Sequence, residues 1–234
     1  MNHEDIRKLV EDRKKLYSRQ SGILDPSTVA DTKVTIIGIG SIGRNIAVQL
    51  VSMGITHFHL IDFDKVDLPN VASQGYLPSQ VGALKTYALR ETIKQINPEA
   101  RVDIHSRPYL PQDATKTPFI FVAVDTITVR QEIWKTLVKK LPEFYCDCRM
   151  AAEACRIITL SPHTQTDTPL TTLYEKTLFP EEETYVAPCN VKATIYCSSI
   201  TASIAVSQLS KHIRKIPLPA DITYNMLTSE FFVE

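Results

Sequence analysis

The chain has 234 residues, of which 44% are hydrophobic and 22% are charged, as in an ordinary folded domain. Its 26 basic and 26 acidic residues cancel, so charge gives no support to a nucleic-acid or membrane partner. No stretch of about 18 residues is uniformly apolar, the charged N-terminus lacks a signal-peptide core, and five cysteines do not indicate a disulfide framework. We therefore expect a cytoplasmic protein.

The hydrophobic pattern predicts helices and strands in alternation. Strands alternating with helices indicate a Rossmann-like α/β fold, with a mainly parallel sheet, helices on both faces and antiparallel strands toward the C-terminus. The helices are predicted at 3–20, 41–52, 83–98, 126–141 and 193–215, and the strands at 34–39, 57–64, 101–109, 119–125, 144–150 and 155–162.

Three other stretches are predicted from their composition. Residues 66–82 are expected to be a loop, because they contain Pro69 and Pro78. Residues 161–190 are polar and rich in proline, and a connection of this length is typically functional, so we interpret them as a crossover loop. Residues 216–234 are expected to be a C-terminal tail with one strand. We expect residues 1–234 to form one domain.

A glycine-rich turn separates the first strand from the helix that follows. Gly38, Gly40 and Gly43 form the pattern G-x-G-x-x-G, with Ser41 at the opening of the helix. Glycines let the backbone approach phosphates, and a helix N-terminus attracts negative charge. Asp62 ends the next strand, where a carboxylate can accept hydrogen bonds from ribose hydroxyls. The pattern predicts a nucleotide site without choosing between NAD, S-adenosylmethionine and ATP.

Three further segments narrow the choice of nucleotide. LIDFDKVDLPNVASQ, VGALKTYALRETIKQINP and VAVDTITVR follow the glycine turn in that order. They resemble the Asp-Phe-Asp strand end, the Asn-Leu-x-Arg-Gln loop, the Val-Gly-x-x-Lys helix start and the later aspartate of the ThiF/MoeB family, the ubiquitin-activating-type adenylating enzymes. The resemblance runs from about residue 14 to residue 213. It implies that the nucleotide is ATP and that the reaction is adenylation.

The resemblance also implies a role for each matching residue. In this comparison Asp62 binds the ribose of ATP, Lys85 reaches the phosphates and Asp125 holds a magnesium ion. Asn70 and Gln74 line the phosphate side. The expected nucleotide-binding set is Gly38, Gly40, Ser41, Gly43, Asp62, Asp64, Asn70, Gln74 and Lys85.

The segment Tyr17-Ser18-Arg19-Gln20 resembles the family's R-Y-x-R-Q segment. There the arginine reaches into the ATP site of the neighbouring protomer, so Arg19 implies a homodimer. Lys85, Arg19 and magnesium would offset the repulsion between an attacking carboxylate and the α-phosphate. One position departs from the family: Ser73 stands where an arginine is usual. Arg44 is a possible substitute, or an exposed residue of its helix.

A cysteine step is a second expectation from the resemblance. In the family the adenylate is often passed to a cysteine at the end of the crossover loop, and Cys189 occupies that position. The alternative is an unreactive loop cysteine. Cys197 lies on an apolar helix and is expected in the core. Because no CxxC pair is present, we do not expect a structural zinc ion.

Charged residues after the fourth strand offer two interpretations. Arg149 and Glu153 flank a small-residue turn between two apolar strands. They could orient the C-terminal tail of a substrate, as could Arg130, or Arg149 and Glu153 could form a buried structural ion pair.

The leading expectation is ATP-dependent activation of a small ubiquitin-like (β-grasp) or sulfur-carrier protein at its C-terminal tail. The acyl group would then need a separate conjugating or sulfurtransferase protein. The alternatives are a tRNA-modifying or peptide-adenylating enzyme of the same fold, and a pseudo-enzyme that binds nucleotide or partner without turnover. An NAD oxidoreductase would leave Lys85 and Asp125 unused. The pseudo-enzyme remains an alternative because Ser73 replaces the usual arginine.

Overall fold

The computed structural model describes residues 11–12, 15–179 and 193–234. Its strands are β1 (Lys33–Ile37), β2 (His57–Ile61), β3 (Arg101–His105), β4 (Phe119–Val122), β5 (Phe144–Ala151), β6 (Ala154–Leu160), β7 (Thr164–Gln165), β8 (Leu218–Pro219), β9 (Asp221–Asn225) and β10 (Glu230–Val233). Eight of them form one sheet in the order β10-β9-β6-β5-β4-β1-β2-β3, and β7 pairs with β8.

Helices of the described residues lie before and between these strands. They are α1 (Pro26–Asp31), α2 (Ser41–Met53), α3 (Leu68–Gln74), α4 (Lys85–Ile96), α5 (Ile127–Leu137), α6 (Leu170–Glu175) and α7 (Ile195–Ile213), with 3-10 turns at Pro78–Gln80 and Pro111–Thr115. None of these helices is long and apolar enough to cross a membrane.

The sheet changes from parallel to antiparallel at β5. Strands β5, β4, β1, β2 and β3 are parallel neighbours, whereas β6, β9 and β10 pair antiparallel. Parallel strands need crossover helices, which cover the sheet, so their side chains are buried on both faces. This burial explains the continuous apolar runs in β1 and β4.

Helices cover both faces of the sheet. On one face α2, α4 and α7 share a core with Val34 and Ile36 of β1, and on the other α5 and α6 share a core with Ile37 of β1 and Val122 of β4. The predicted Rossmann-like α/β fold, with antiparallel strands toward the C-terminus, is confirmed.

The predicted loop at residues 66–82 is wrong in part, because it contains α3. Asp67 and Asn70 exchange capping hydrogen bonds at its start, and Pro69 lies in the first turn, where its missing N–H costs nothing. Gly75 ends the helix in the left-handed conformation, with φ of 77°. Local caps therefore make a helix out of a segment that has no buried residue.

Two further stretches are more regular than the sequence predicts. The expected C-terminal tail contributes β8, β9 and β10, and β9 pairs with β6 in the main sheet. The first part of the expected crossover loop contains β7 and α6. Residues 180–192, including Cys189, lie outside the described residues, as does most of the predicted helix at 3–20.

Candidate functional site

The glycine turn lies at the carboxyl end of β1, where the order of the parallel strands reverses between β1 and β4. Such a switch point is where open α/β sheets bind ligands. A Cβ on Gly38 would lie 2.6 Å from the Ala123 carbonyl oxygen, and one on Gly43 would lie 2.0 Å from the Gly38 carbonyl oxygen. Packing therefore requires glycine at both positions.

Gly40 differs from these two glycines, because a Cβ there would make only ordinary contacts with Gln74 at 3.9 Å. The turn is open at Gly40, which caps the N-terminus of α2 without a side-chain hydrogen bond. Beneath the turn the Tyr76 hydroxyl donates to the Ile39 carbonyl at 2.7 Å. Sequence reasoning missed Tyr76, although a buried tyrosine needs a partner for its hydroxyl group. The hydrogen bond from Tyr76 therefore fixes the turn on one side, and the backbone at Gly40 stays open on the other.

Asp62 joins the glycine turn to the end of β2. Its carboxylate accepts the Ile39 N–H and the Asp64 N–H, both at 2.8 Å. Burial raises the pKa of Asp62 above its ordinary value, against the opposing effects of these two N–H groups and of Lys85. Each carboxylate oxygen has two acceptor sites, so Asp62 keeps capacity for a further donor, such as a ribose hydroxyl.

Lys85 brings a buried positive charge to the same edge. Its side chain is only 7% exposed, and its ammonium group donates to Asp64 at 2.8 Å. The Lys85 N–H also donates to the Asp64 carbonyl at 2.9 Å, so the start of α4 is tied to the end of β2. Asp64 is half exposed, which leaves this ion pair open to solvent or to a ligand on one side.

The two expected polar residues of α3 have different environments. Asn70 accepts the Asp67 N–H at 3.0 Å and so belongs to the helix cap. Gln74 lies beside Gly40, and its side-chain oxygen is buried without a hydrogen-bond partner. Asn70 is therefore used by the helix cap, whereas the side-chain oxygen of Gln74 is not bonded within the described residues.

Asp125 lies just after β4, which is the neighbour of β1, and it is exposed. The described part of the chain has no group of three or more His, Cys, Asp or Glu side chains that could hold a metal ion by itself. Magnesium is commonly bound by one or two carboxylates together with substrate phosphates, so a lone aspartate fits a metal that arrives with a nucleotide. We refer to residues 38–44, 62–64, 74–76, 85 and 125 as the glycine-turn site.

Arg19 does not lie at the glycine-turn site of its own chain. It is exposed and follows Tyr17, which packs against Gly54 at the C-terminal end of α2. The Gln20 side chain donates to the Met53 carbonyl at the same end. Helix α2 has 13 residues, so about 20 Å separate this end from the glycine turn.

The four described cysteines are buried. Cys146 and Cys148 share one face of β5, with 3.8 Å between their sulfur atoms. Burial raises the pKa of Cys155 and of Cys197, the latter to about 11, which disfavours the thiolate. Cys197 is fully buried in the core, as predicted.

A fully buried carboxylate, Asp147, organises the arginines that follow β4. Arg130 and Arg149 donate to opposite oxygens of Asp147 at 2.9 and 2.8 Å, and the Tyr174 hydroxyl donates at 2.9 Å. Burial alone would raise the pKa of Asp147, but the two guanidinium groups bring it below its ordinary value. We refer to Arg130, Asp147, Arg149, Tyr174 and Thr177 as the Asp147 cluster.

The predicted alternatives for these arginines are resolved in one respect. Arg149 pairs with Asp147 and donates to the Thr177 carbonyl at 2.8 Å, so the predicted ion pair with Glu153 is wrong. Glu153 instead accepts a hydrogen bond from the Tyr196 hydroxyl. Sequence reasoning missed Asp147, although an aspartate inside the buried strand FYCDC requires a cation.

Comparison with known proteins assigns the fold to a family. Residues 17–231 match the ThiF family. The chain belongs to the ThiF family. The resemblance found in the sequence is thereby confirmed, and the glycine turn, Asp62, Lys85 and Asp125 lie within the matched region.

Curated relatives of this ThiF-family chain are activating enzymes that are much longer. Ubiquitin-like modifier-activating enzyme 5 of Caenorhabditis briggsae is 32% identical over 88 residues, which are 38% of this chain and 20% of that enzyme. The enzyme of the same name from Mus musculus is 33% identical over 96 residues, 38% of this chain and 24% of the enzyme. The chain thus matches less than a quarter of the length of these relatives.

Solved structures share the fold at low sequence identity. Escherichia coli MccB, solved with ATP, has a TM-score of 0.72 and 18% identity, covering 100% of this chain and 79% of MccB. PaaA has a TM-score of 0.72 and 20% identity, covering 100% of this chain and 74% of PaaA. The E. coli tRNA N6-threonylcarbamoyladenosine dehydratase TcdA has a TM-score of 0.65 and 19% identity, covering 86% and 95%.

Proposed function

We propose that this ThiF-family chain uses ATP to adenylate the C-terminal carboxylate of a small ubiquitin-like or sulfur-carrier protein. One observation carries the proposal: the glycine turn, Asp62, the buried Lys85 and Asp125 meet at the carboxyl edge of three adjacent strands. The names of the curated relatives support a ubiquitin-like partner.

The residues at this edge fit a nucleotide. The open side of the turn at Gly40 and the N-terminus of α2 offer backbone N–H groups to phosphates, with Ser41 at the first position of the helix. Asp62 would hold the ribose. The Gln74 side chain, beside Gly40, would line the phosphate side through its amide N–H donors, while Asp64 and Asn70 fix the surrounding loops.

The chemistry requires one anion to approach another. A carboxylate oxygen of the partner forms a bond to the α-phosphorus, and the bond from that phosphorus to the β-phosphate oxygen breaks, releasing pyrophosphate. Lys85 lies where it can offset the negative charge on the phosphates, in a buried setting that strengthens its effect. Magnesium, held by Asp125 and the phosphates, would supply further neutralisation.

Arg19 would act on the site of a second copy. Its own glycine turn is about 20 Å away, at the far end of α2, so a role at the nucleotide needs a homodimer. We propose this homodimer together with a single ThiF-type domain over residues 1–234, because β9 and β10 complete the same sheet as β1.

Cys189 would capture the activated acyl group in a second step, before its transfer to a separate conjugating or sulfurtransferase protein. Among the five cysteines, the four described ones are buried, and none of them lies at the glycine-turn site. This leaves Cys189 as the candidate nucleophile of the proposal.

ATP–pyrophosphate exchange in the presence of candidate β-grasp proteins tests the proposal. We expect exchange with one of them, and we expect Asp125→Ala to lower it by about 10²-fold or more. Asp31→Ala is the matched control, since Asp31 is an exposed aspartate two residues before the opposite end of β1. Cys189→Ala should leave the exchange intact and abolish a thioester to the partner.

Other outcomes point to the alternative functions. Exchange with a peptide substrate, or with a modified tRNA, would replace the ubiquitin-like partner while keeping the adenylation. ATP binding without exchange for any substrate would indicate the non-catalytic protein, for which Ser73 is the motivating feature.

A further inference from the structure

Arg44 occupies the first turn of α2, directly after Gly43. Its guanidinium carbon lies 5.3 Å from the centre of the Tyr76 ring. A Cβ on Gly75 would lie 2.9 Å from one of its terminal nitrogens. Gly75 thus leaves room for the guanidinium group between the start of α2 and the end of α3.

The charge of Arg44 has no partner in the described residues. Its Nε atom is buried without a hydrogen bond, and none of the ion pairs in this part of the chain includes Arg44. Burial lowers the pKa of the guanidinium group, against a smaller opposing effect of Tyr76. An arginine keeps its proton when it is partly buried, so its N–H groups remain available to donate to an anion.

The surroundings of Arg44 specify what kind of anion fits. The glycine turn and the N-terminus of α2 lie next to it, and both favour a phosphate group. Helix α3 contributes no cation here: its sequence is LPNVASQ, and the Ser73 hydroxyl is bonded back to the Pro69 carbonyl at 2.8 Å. Arg44 is therefore the cation that the α2–α3 junction offers to this edge of the sheet.

We propose that Arg44 binds a phosphate group of ATP. The inference rests on the proposed function, and it assigns to α2 the phosphate-binding cation that α3 does not provide. A planar guanidinium group stacked on Tyr76 presents several N–H donors in a fixed orientation, which suits the tetrahedral oxygens of a phosphate.

Calorimetric titration with ATP and with adenosine tests the assignment. Arg44→Met keeps the alkyl stem and the packing on Tyr76, and should weaken ATP binding by about 10- to 100-fold, as expected for a charge-assisted hydrogen bond. Adenosine binding should stay unchanged, because adenosine has no phosphate. The ATP affinity of Arg44→Lys should lie between those of the unmodified chain and of Arg44→Met, since lysine keeps the charge but lacks the planar set of N–H donors.

Arg90→Met is the matched control. Arg90 also stacks on a tyrosine, with its guanidinium carbon 4.7 Å from the centre of the Tyr87 ring, but it is paired with Glu91. The ATP affinity of Arg90→Met should equal that of the unmodified chain. Thermal denaturation of each variant will show that the protein is folded.

Two results would overturn the assignment and are distinguishable. If the unmodified chain binds ATP and Arg44→Met binds it equally well, Arg44 is not a phosphate ligand, and the proposed adenylation stands. If the unmodified chain binds no ATP, the proposed function fails and the assignment of Arg44 fails with it.

Discussion

The Asp147 cluster and the glycine-turn site each place an arginine against a buried tyrosine, and they satisfy the charge differently. In the cluster, the Arg149 guanidinium carbon lies 5.9 Å from the centre of the Tyr174 ring, and its nitrogens bond to Asp147 and Thr177. At the glycine turn, Arg44 stacks on Tyr76 in a similar way, but its Nε has no partner.

The difference separates a structural charge from one that is available to a ligand. Each guanidinium nitrogen of Arg130 and Arg149 donates to Asp147 or to a neighbouring carbonyl or hydroxyl oxygen, and the cluster ties α5 and α6 to β5. A buried network in which every polar group is hydrogen-bonded makes the fold rigid. A network that leaves a buried polar group unbonded costs free energy of folding. The orphaned atoms of Arg44 and Gln74 lie at the edge where a nucleotide is proposed.

The largest effect that we expect in this comparison is the loss of stability in Asp147→Ala. Removing the carboxylate leaves two guanidinium groups buried without their counter-charge, which should cost about 3–5 kcal/mol in the free energy of unfolding. Urea denaturation measures it. A loss below about 1 kcal/mol would contradict the structural role of the cluster, because it would place Arg130 and Arg149 in contact with water.

The next largest effect should come from Lys85→Met, which should lower the activity and leave the stability nearly unchanged. Methionine fills the buried space of the lysine stem, and Asp64 is half exposed, so the carboxylate left behind is solvated. ATP–pyrophosphate exchange should fall by about 10²-fold or more, through the loss of charge stabilisation. Lys94→Met, on the exposed part of the same helix, is the control. Unchanged exchange in Lys85→Met would remove Lys85 from the site.

The same comparison shows what the sequence could predict. The strand, glycine turn and helix at residues 33–53 were predictable. Both β1 and α2 have buried faces, so the apolar residues of each recur at regular spacing in the local sequence. Helix α3 was not, since none of its residues is buried and its stability comes from caps at Asp67 and Gly75. A helix without an apolar face leaves no periodic pattern to detect.

Polar residues were likewise predictable only where the signal was local. Local motifs predicted Asp62 and Lys85 of the glycine-turn site, but no local pattern predicted the partners of Asp147. Arg130 and Tyr174 lie 17 and 27 residues away along the chain, and only the packing of α5 and α6 on the sheet brings them to one carboxylate. Arg44 was visible in the sequence as a possible cation, but its lack of a partner is a property of the folded structure.

His59 offers a third case, a buried ionisable group that stays neutral near pH 7. Its Nε2 atom is buried without a partner, and burial, with the charge of His105, lowers its pKa to about 4. Between pH 6.5 and about 4 the unfolded chain binds a proton at this position that the folded chain does not, so lowering the pH favours unfolding. The His59→Asn variant should lose less stability across this window, as measured by urea denaturation at each pH. Equal pH dependence in both proteins would contradict the shifted pKa.

The smallest effect should be that of Arg44→Met on stability, and it is the sharpest test of the comparison. Histidine adapts to burial by becoming neutral, but arginine stays charged, so replacing an unpaired Arg44 removes a desolvation cost together with its contact with Tyr76. We expect the free energy of unfolding, measured without nucleotide, to change by less than about 1 kcal/mol. Arg149→Met makes the same chemical change at a paired arginine and should cost at least about 1.5–3 kcal/mol. An equal loss in both variants would mean that Arg44 has a structural partner and is not available to an anion.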